Sequence, residues 1–426
     1  MNMDLNIKNT DLKRIVIIGG GFAGIELAKK LKNKKFQVIL IDKNNYHTFQ
    51  PLLYQVATFG LEAESIAYPL RRLFHNASNI LFRMAEVLKI IPQSNEVETS
   101  IGNIKYDYLV IASGSTNNFF SFDSISSSLM PMKSVVDALN LRSFILQNFE
   151  KALLTNKISE QEELINIAIV GAGPTGVELA GALGEMKNSV LPYDYAELDL
   201  TKMQIHLFEA SSKILSSMSD KSSDKAKKYL NELGVKVWLD TKVVEYKNNI
   251  LTTDKGIKIS ASNLIWTAGV KGKIIPGIED KSIQGNRYKV GMDSRVEGYQ
   301  NIFAIGDVSA MITDKFPKGF PMLATVAIEQ GLNLAENFLN LQKGKDWIMF
   351  DYNDKGSMAT VGRNRAVVDL TFISFQGTFA WFLWMLVHIM SLIGFRNKLI
   401  AFFGWVYNYF TYDRAIRLII TPFKRD

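Results

Sequence analysis

Two glycine-rich segments, each placed between an apolar run and a helix-forming stretch, constrain the fold of this chain more than any other feature. The clearer one follows the apolar run Ile167–Val170 and contains Gly171, Gly173 and Gly176 in the spacing G-x-G-x-x-G. The first glycine allows a tight turn, the second lets the backbone approach a pyrophosphate, and the third lets the helix pack closely on the strand. The N–H groups of the first helical turn then face a phosphate. The pattern predicts a Rossmann-like unit that binds a dinucleotide.

A second copy of this pattern lies near the start of the chain, where Ile15–Ile18 leads into Gly19, Gly21 and Gly24. One such motif is weak evidence by itself, because short glycine patterns arise by chance. Two copies, each following an apolar run and opening a helical stretch, argue for two dinucleotide sites. We therefore predict an α/β protein with two Rossmann-like domains that binds a flavin and a nicotinamide nucleotide.

Acidic residues end the strands that follow each motif. Asp42 ends the strand predicted at 37–41, close to the interval of about 20 residues expected for a carboxylate that accepts from a ribose hydroxyl. A turn-forming aspartate is the alternative. Glu209 ends a strand at 203–208 after a longer interval, because residues 187–201 read as an insertion. A carboxylate there favours a free 2′-hydroxyl over a 2′-phosphate, so we expect NADH rather than NADPH.

Further strand ends indicate how the domains are connected. The turns Ala112-Ser113-Gly114 and Thr267-Ala268-Gly269 contain small residues that allow close approach of a ligand. The run Asn301–Ile305 ends in Gly306-Asp307, a second strand-end acid for the first nucleotide. The NADH domain is then inserted in the FAD domain. We expect an FAD-binding domain at 1–118 and 286–350, an NADH-binding domain at 119–285, and a C-terminal region at 351–426.

The C-terminal region is predicted to associate with a membrane. Residues 371–395 contain no Asp, Glu, Lys or Arg, and a second aromatic stretch at 399–412 precedes Arg414, Arg417 and the tail Lys424-Arg425. The first run is long enough for a transmembrane helix. Its polar residues, the aromatic side chains and the flanking cations are more typical of helices that lie in the lipid interface. A dimer or core helix is the third alternative.

Composition excludes several classes of function. The chain has no cysteine, which rules out disulfides, iron–sulfur clusters and dithiol chemistry, and its four histidines are widely scattered, so we expect no metal site. The net charge of +7 is dispersed, without an arginine-rich tract, and we expect a lipid bilayer surface rather than nucleic acid as partner. The polar N-terminus lacks the apolar core of a secretory signal, which favours a cytoplasmic catalytic domain.

Taken together, these features resemble the type II NADH dehydrogenases (NADH:quinone oxidoreductases) of the two-dinucleotide-binding-domain flavoprotein superfamily. The resemblance spans essentially the whole chain, and its most specific segments are Asn44–Thr58, Gly173–Leu183, Trp266–Val270, Ile305–Asp307 and Asp354–Val367. It implies a respiratory-chain enzyme that oxidises NADH with FAD and reduces a membrane quinone by two electrons, without pumping protons. It also implies a peripheral position on the cytoplasmic side of the cell inner membrane, and it leaves a homodimer open.

The resemblance implies the site residues as well. Positions that match FAD-binding residues are Gly19, Gly21, Phe22, Gly24, Asp42, Lys43, Ala112, Ser113, Gly114, Gly306 and Asp307. Positions that match residues facing the nicotinamide nucleotide are Gly171, Gly173, Pro174, Thr175, Gly176, Glu178, Glu209, Ala268 and Gly269. We predict that Glu178 is catalytic and orients the nicotinamide end. The alternative is a carboxylate that stabilises the helix N-terminus.

The quinone contacts depart from the family pattern. The family motif is alanine-glutamine-x-alanine-x-glutamine, whereas this chain reads Ala324-Thr325-Val326-Ala327-Ile328-Glu329. Thr325 retains one weak hydrogen bond, and Glu329 accepts when ionised and donates when protonated. Lys355 matches a family lysine near the quinone pocket, with a solvated turn residue before Gly356 as the alternative.

Two other functions stay open from the sequence. One is another FAD/NAD(P)H reductase with ferredoxin or oxygen as acceptor, although such a soluble enzyme has no use for the aromatic C-terminus. The other is an NADH-sensing flavoprotein resembling apoptosis-inducing factor, which would reduce quinone negligibly. Measurement of turnover with a quinone distinguishes both from the enzyme that the resemblance implies.

Overall fold

The computed structural model describes residues 5–8, 10–411 and 417–419. Of the cationic residues that flank the predicted membrane-associating region, Arg417 lies within the described residues. Arg414, Lys424 and Arg425 lie outside them. The helices are α1 (Phe22–Lys30), α2 (Leu53–Ala57), α3 (Ala63–Ile66), α4 (Leu70–Leu73), α5 (Val135–Ala152), α6 (Ile158–Ile165), α7 (Pro174–Ser189), α8 (Leu191–Asp194), α9 (Asp220–Glu232), α10 (Ala324–Gln342), α11 (Thr378–Ser391) and α12 (Phe395–Thr411).

The strands of the first half of the chain are β1 (Arg14–Ile18), β2 (Gln37–Asp42), β3 (Tyr46–Thr48), β4 (Ala67–Pro69), β5 (Ile80–Met84), β6 (Val87–Ile91), β7 (Glu96–Thr99), β8 (Gly102–Lys105), β9 (Tyr108–Ile111), β10 (Ser115–Asn117), β11 (Met130–Pro131), β12 (Ile167–Val170) and β13 (Ile205–Phe208). Those of the second half are β14 (Val235–Trp238), β15 (Val243–Lys247), β16 (Ile250–Thr253), β17 (Lys258–Ser260), β18 (Asn263–Trp266), β19 (Val270–Gly272), β20 (Ile283–Gln284), β21 (Arg287–Val290), β22 (Ile302–Ala304), β23 (Ser309–Met311), β24 (Ser357–Thr360), β25 (Ala366–Asp369) and β26 (Ser374–Gln376).

The first compact unit consists of Met1–His47, Tyr68–Thr116 and Val270–Asn353. Its parallel sheet has the strand order β22-β9-β1-β2-β5. The chain leaves β1 toward β2 on one side and later adds β9 on the other, so the carboxyl end of β1 lies where the strand order reverses, a usual place for a ligand. β22 pairs with β9 in the register Ile302↔Leu109. The predicted return of the Asp307 segment to the first sheet is confirmed.

The second compact unit consists of Thr48–Ala67, Asn117–Gly269 and Asp354–Asp426. Its parallel sheet has the order β11-β18-β12-β13-β14, with the second glycine motif after the central strand β12. All four residues of β12 are buried, as expected for a strand covered on both faces. The fold is therefore α/β with two parallel Rossmann-like sheets, and residues 117–269 interrupt the first unit.

The end of the second unit contains the antiparallel sheet β24-β25-β26 and the helices α11 and α12. The uncharged run at 371–395 does not form one helix, because β26 occupies its start and Gly394, with a φ of 87°, separates α11 from α12. Among the residues that the structure describes, no helix is both long and apolar enough to cross a membrane. Each of the two helices buries one face, Ala380, Trp384 and His388 on α11 and Asn397, Ala401 and Trp405 on α12.

The compact units divide the chain at different positions from the predicted domain bounds. Residues 48–67 and 354–426 belong to the same unit as residues 117–269, and residues 270–285 belong to the first unit. Hydrogen bonds from α12 show why residues 48–67 belong to the same unit as the C-terminal helices. Asn397 donates to the carbonyls of Glu64 and Ala67 at 3.1 and 3.0 Å, and Trp405 donates to Gln55 Oε1 at 2.6 Å.

Candidate active site

The first glycine loop connects β1 to α1, and two of its glycines are required by packing. A Cβ on Gly19 (φ 110°) would lie 2.2 Å from the Ala112 carbonyl oxygen, and one on Gly24 would lie 2.0 Å from the Gly19 carbonyl oxygen. A Cβ on Gly21 would meet no protein atom within 4 Å. Gly21 is also the N-cap of α1. The loop therefore exposes backbone at the helix N-terminus, which fits a pyrophosphate.

Asp42 lies beside this loop at the end of β2. Its Oδ2 accepts from the Gly20 amide at 2.6 Å and its Oδ1 accepts from the Asn44 amide at 2.7 Å. Burial raises the pKa of Asp42, while those amides and the positive charges of Lys273 and Lys43 oppose the rise. Because a carboxylate accepts about four hydrogen bonds, both oxygens retain capacity for a ribose hydroxyl.

The turn Ala112–Gly114 follows β9 and lies against the first glycine loop. The Ser113 hydroxyl donates to the Lys273 carbonyl at 2.7 Å, and the Lys273 amide donates to the Gly114 carbonyl at 2.9 Å. These bonds fix the turn, so Ala112 closes one side of the loop at Gly19.

Asp307 lies just after β22 in the same unit. Its Oδ2 accepts from the Ser115 hydroxyl at 2.5 Å. The preceding Gly306 has a φ of 74° and donates its amide to Gln330 Oε1 at 2.7 Å. The first unit thus brings Asp42, the 112–114 turn and Asp307 to the carboxyl edge of one sheet, as the sequence predicts.

Two residues of this edge were missed by the sequence reasoning. His47 is buried, its Nδ1 lies 3.1 Å from the Gly20 carbonyl oxygen, and its ring meets Phe22 edge-on at 5.0 Å. Burial lowers the pKa of His47 to about 4, so this imidazole is neutral. Lys273 is the second residue, and burial lowers the pKa of its amine beside Asp42. His47 lies within the recognised segment Asn44–Thr58, and Lys273 lies just after the recognised segment Trp266–Val270, but neither was singled out.

The second glycine loop, in the second unit, repeats this geometry. A Cβ on Gly171 (φ 101°) would lie 2.6 Å from Ala268 Cα, and one on Gly176 would lie 1.9 Å from the Gly171 carbonyl oxygen. A Cβ on Gly173, the N-cap of α7, would meet no protein atom within 4 Å. Pro174 and Thr175 are exposed in the first helical turn. This loop also fits a pyrophosphate.

Thr267 was missed by the sequence reasoning, although it begins a segment that was recognised. Its hydroxyl lies 2.9 Å from the Val170 carbonyl oxygen and 2.8 Å from that of Gly171. It therefore ties the turn after β18 to the glycine loop. Gly269 (φ 92°) completes that turn, and a Cβ there would lie 3.2 Å from the ring of Phe120.

Glu209, at the end of β13, takes the place that Asp42 has in the first unit. Its Oε2 accepts from the Ala172 amide at 2.8 Å. Its Oε1 accepts from the amide and hydroxyl of Ser211 at 2.9 and 2.8 Å. The carboxylate is therefore held at the second glycine loop.

Glu178 lies in the second turn of α7, and the structure buries it to 7% exposure. Its Oε1 is 3.5 Å from the Thr360 amide of β24. Burial raises the pKa of Glu178 to about 8, opposed by that amide and by Trp384. The first turn of α7 holds no acidic residue. A buried acid beyond the first turn, mostly protonated at neutral pH, is a poor helix-dipole carboxylate.

The predicted quinone residues are distributed over both units. Thr325 and Glu329 lie one turn apart at the start of α10 in the first unit, on the same face of the helix. The Thr325 hydroxyl lies 2.9 Å from the Tyr352 hydroxyl, a partner that the sequence did not indicate. Lys355 belongs to the second unit, where it is exposed in the turn before β24.

Within the described part of the chain, no group of three or more His, Cys, Asp or Glu side chains is arranged to hold a metal ion.

Comparison with known proteins first defines the class. Residues 13–331 match the pyridine nucleotide-disulphide oxidoreductase family, and residues 355–412 match the NDH2 C-terminal domain. The first match spans most of the chain and identifies a family that binds a flavin and NAD(H). The sequence itself contains no cysteine.

Curated relatives then define the particular family. Two type II NADH:quinone oxidoreductases of Mycobacterium tuberculosis are 34% identical over 411 residues (92% of this chain, 86% of theirs) and 33% identical over 424 residues (96% and 90%). One from Haemophilus influenzae is 30% identical over 416 residues (89% and 93%). The chain belongs to the type II NADH:quinone oxidoreductases.

Solved structures share the fold at lower identity. NDH2 of Plasmodium falciparum, solved in complex with NADH, superposes with a TM-score of 0.88 at 22% identity, covering 96% of this chain and 100% of that one. The sulfide:quinone oxidoreductase of Aquifex aeolicus gives a TM-score of 0.71 at 21% identity, covering 94% and 95%.

Proposed function

We propose that this chain oxidises NADH with FAD as its resident cofactor and transfers two electrons to a membrane quinone without pumping protons. The observation that carries the proposal is the repeated arrangement of a glycine loop and a strand-end acid hydrogen-bonded to it, once in each unit. Bound FAD would supply the chemistry, accepting a hydride from NADH and passing electrons to the quinone.

In this proposal the first unit holds FAD. The Gly19–Gly24 loop and the N-terminus of α1 bind the pyrophosphate, and Asp42 accepts from a ribose hydroxyl. Lys43 and Lys273 add positive charge beside Asp42. The 112–114 turn, Gly306 and Asp307 bind at the other strand ends of the same sheet edge.

The second unit holds NADH. The Gly171–Gly176 loop with Pro174 and Thr175 binds the pyrophosphate, and Glu209 accepts from the adenosine ribose, which favours NADH over NADPH. Ala268 and Gly269 form the turn beside the loop. Glu178 orients the nicotinamide end, and as a mostly protonated acid it is able to donate as well as accept.

Thr325, Glu329 and Lys355 are the residues that we assign to the quinone. The hydroxyl pair Thr325–Tyr352 supplies a polar contact where the family has a glutamine. Glu329 supplies a carboxyl group one turn further along α10. Lys355 supplies a positive charge, which is attracted to a quinone oxygen as electrons arrive.

A lipid surface is the proposed location of the C-terminal helices. Their exposed faces are apolar, as shown by Phe379 (72% exposed), Met390 (63%), Phe403 (63%) and Phe410 (77%). Exposed apolar patches of this kind mark contact with lipid or with another protein. We place the enzyme on the cytoplasmic side of the cell inner membrane, and a homodimer would use the same kind of surface.

The test is steady-state NADH oxidation by the purified full-length protein in detergent, with and without a short-chain quinone. We expect the rate to rise at least about tenfold with quinone, because the acceptor limits turnover in its absence. Flavin released by denaturation should be FAD at one equivalent per chain. A rate independent of quinone would exclude the acceptor, and equal rates with NADPH would exclude the role of Glu209.

A further inference from the structure

Glu178 is a buried acid. Among the described residues, the groups that act on its carboxyl are the Thr360 amide, at 3.5 Å, and the Trp384 side chain. The amide contact is long, so it stabilises the ionised form only weakly. The Trp384 side chain is the second group that acts on this carboxyl, after the Thr360 amide.

Trp384 is held in place by other aromatic rings. It is 1% exposed on the buried face of α11, stacks on His388 with ring centres 4.0 Å apart, and lies 5.6 Å from Trp405 and 6.5 Å from Tyr54. These contacts fix the plane of the indole and hence the direction of its N–H.

The indole N–H of Trp384 is a buried donor that has no acceptor within the described part of the chain. Its Nε1 makes no hydrogen bond there, yet the indole acts on the Glu178 carboxyl and lowers the pKa of that group. A buried N–H left without an acceptor is costly, so such a group normally serves an acceptor in some state of the protein.

We propose that Trp384 is a positioning residue whose indole N–H donates to an oxygen of the Glu178 carboxyl group and holds that group in the orientation that NADH requires. The inference rests on the proposed function, in which Glu178 orients the nicotinamide end. It connects α11, which carries the exposed apolar surface, to α7, which begins at the second glycine loop. The C-terminal helices then contribute to the nucleotide site as well as to any membrane contact.

The elements that pack against α7, and helix α11, carry other titratable groups. Burial lowers the pKa of His206 on β13 and of His388 on α11 to about 4 each, so both stay neutral. Burial raises the pKa of Tyr229 on α9. Helix α9 also carries Asp220, Lys221, Asp224, Lys225, Lys227, Lys228 and Glu232. The other elements carry Tyr54 on α2, Lys236 on β14, Tyr193 and Asp194 on α8, and Glu185 and Lys187 on α7 itself. Asp194 pairs with Arg417 at 2.8 Å, and Glu185 accepts from the Arg363 amide.

The test is the pH dependence of kcat/KM for NADH, measured on the full-length protein with saturating quinone. The wild type should show an inflection near the pKa of Glu178, about 8, and E178Q should lack it. W384F removes the donor but keeps a ring, so the ionised acid loses its partner. We expect the inflection to move to higher pH by about one unit, a tenfold change in the ionisation constant.

Two variants separate the N–H from the packing. W405F removes another indole N–H from the same aromatic cluster, but that group donates to Gln55, so the inflection should stay in place. W384H keeps a ring N–H, and its inflection should lie closer to that of the wild type than that of W384F. An unshifted inflection in W384F, or equal shifts in W384F and W405F, would overturn the proposal.

A second readout covers variants that fold but turn over poorly. Melting temperature should fall between about pH 6 and about pH 9 in the wild type relative to E178Q, and the fall should extend to higher pH in W384F. If E178Q retains the kinetic inflection, the role of Glu178 with NADH is wrong. The Trp384 contact then stands or falls on the melting data alone.

Discussion

In both units, a similar five-residue segment begins at the third glycine of the loop, but the environment of its glutamate differs between the two units. The first reads Gly-Ile-Glu-Leu-Ala and contains Glu26, and the second reads Gly-Val-Glu-Leu-Ala and contains Glu178. Glu26 is half-buried and forms an ion pair with Lys29 at 2.6 Å. Glu178 is buried, no lysine or arginine in the described part of the chain acts on it, and burial raises its pKa to about 8.

The difference comes from what covers each helix. Gly181 of α7 lies so close to the hairpin formed by β24 and β25 that a Cβ on it would lie 3.0 Å from the Gly362 amide nitrogen. The same hairpin contains Thr360, whose amide lies 3.5 Å from Glu178 Oε1. Helix α1 has a different close neighbour, α10, where a Cβ on Gly331 would lie 2.4 Å from the Ala23 carbonyl oxygen. One local sequence thus gives a surface ion pair or a buried acid, according to its tertiary neighbours.

The strongest test of the comparison replaces the third glycine of each loop. G24A and G176A would place a methyl group 2.0 and 1.9 Å from a backbone oxygen, so each loop must open. We expect G24A to purify without flavin and without activity. G176A should keep its flavin but oxidise NADH at least about 100-fold more slowly, because misplaced substrate is costly. Loss of flavin from soluble G176A would contradict separate sites in the two units.

The next test compares the two glutamates directly. E178Q should lower kcat/KM for NADH by about 20-fold, because the buried group loses its ability to ionise and reorient. E26Q is the matched control, and since exposed ion pairs contribute little, its kinetics should stay within about twofold of the wild type. Unchanged kinetics in E178Q would remove Glu178 from the nucleotide site.

Replacing the strand-end acids should separate their cofactors. E209A removes the negative charge at the second loop, so the ratio of kcat/KM for NADPH to that for NADH should rise by about tenfold. D42A removes the corresponding charge at the first loop and should weaken flavin retention while leaving that ratio unchanged. The observation that D42A alters nucleotide choice would mean that the two acids were assigned to the wrong cofactors.

The smallest expected effect is on stability. The folded-state pKa of Glu178, about 8, lies above its ordinary value of 4.5, so the folded chain binds the extra proton between those values. The resulting stability is fully present below about pH 4.5 and is lost as pH rises through about 8. Relative to E178Q, the melting temperature of the wild type should therefore fall by a few degrees from about pH 5 to about pH 9. E26Q should show no such trend.

Both glycine loops and their strand-end acids could be predicted from the sequence, because the contacts that require these residues are local. The Gly19–Gly24 and Gly171–Gly176 spacings encode contacts within one loop, and Asp42 and Glu209 are recognised because each ends a strand. The parallel sheets follow from the apolar runs that precede them. The family resemblance further predicted a quinone as the electron acceptor and a C-terminal domain typical of the family.

What the sequence could not indicate depends on contacts between distant segments. Trp405 meets Gln55 across 350 positions, and Glu178 meets Thr360 across 182. No local pattern marks these pairs, so the burial of Glu178 and the grouping of residues 48–67 with the C-terminal helices were not predicted. Lys273 was missed for the same reason, since only the fold brings it to Asp42.

The most direct test of electron transfer from NADH to quinone is an anaerobic measurement of the flavin's visible absorbance in two mixing steps. We expect stoichiometric NADH to bleach the absorbance and a short-chain quinone added next to restore it, both at rates at least as fast as turnover. Absorbance that NADH leaves unchanged, or that oxygen restores but quinone does not, would contradict the assignment.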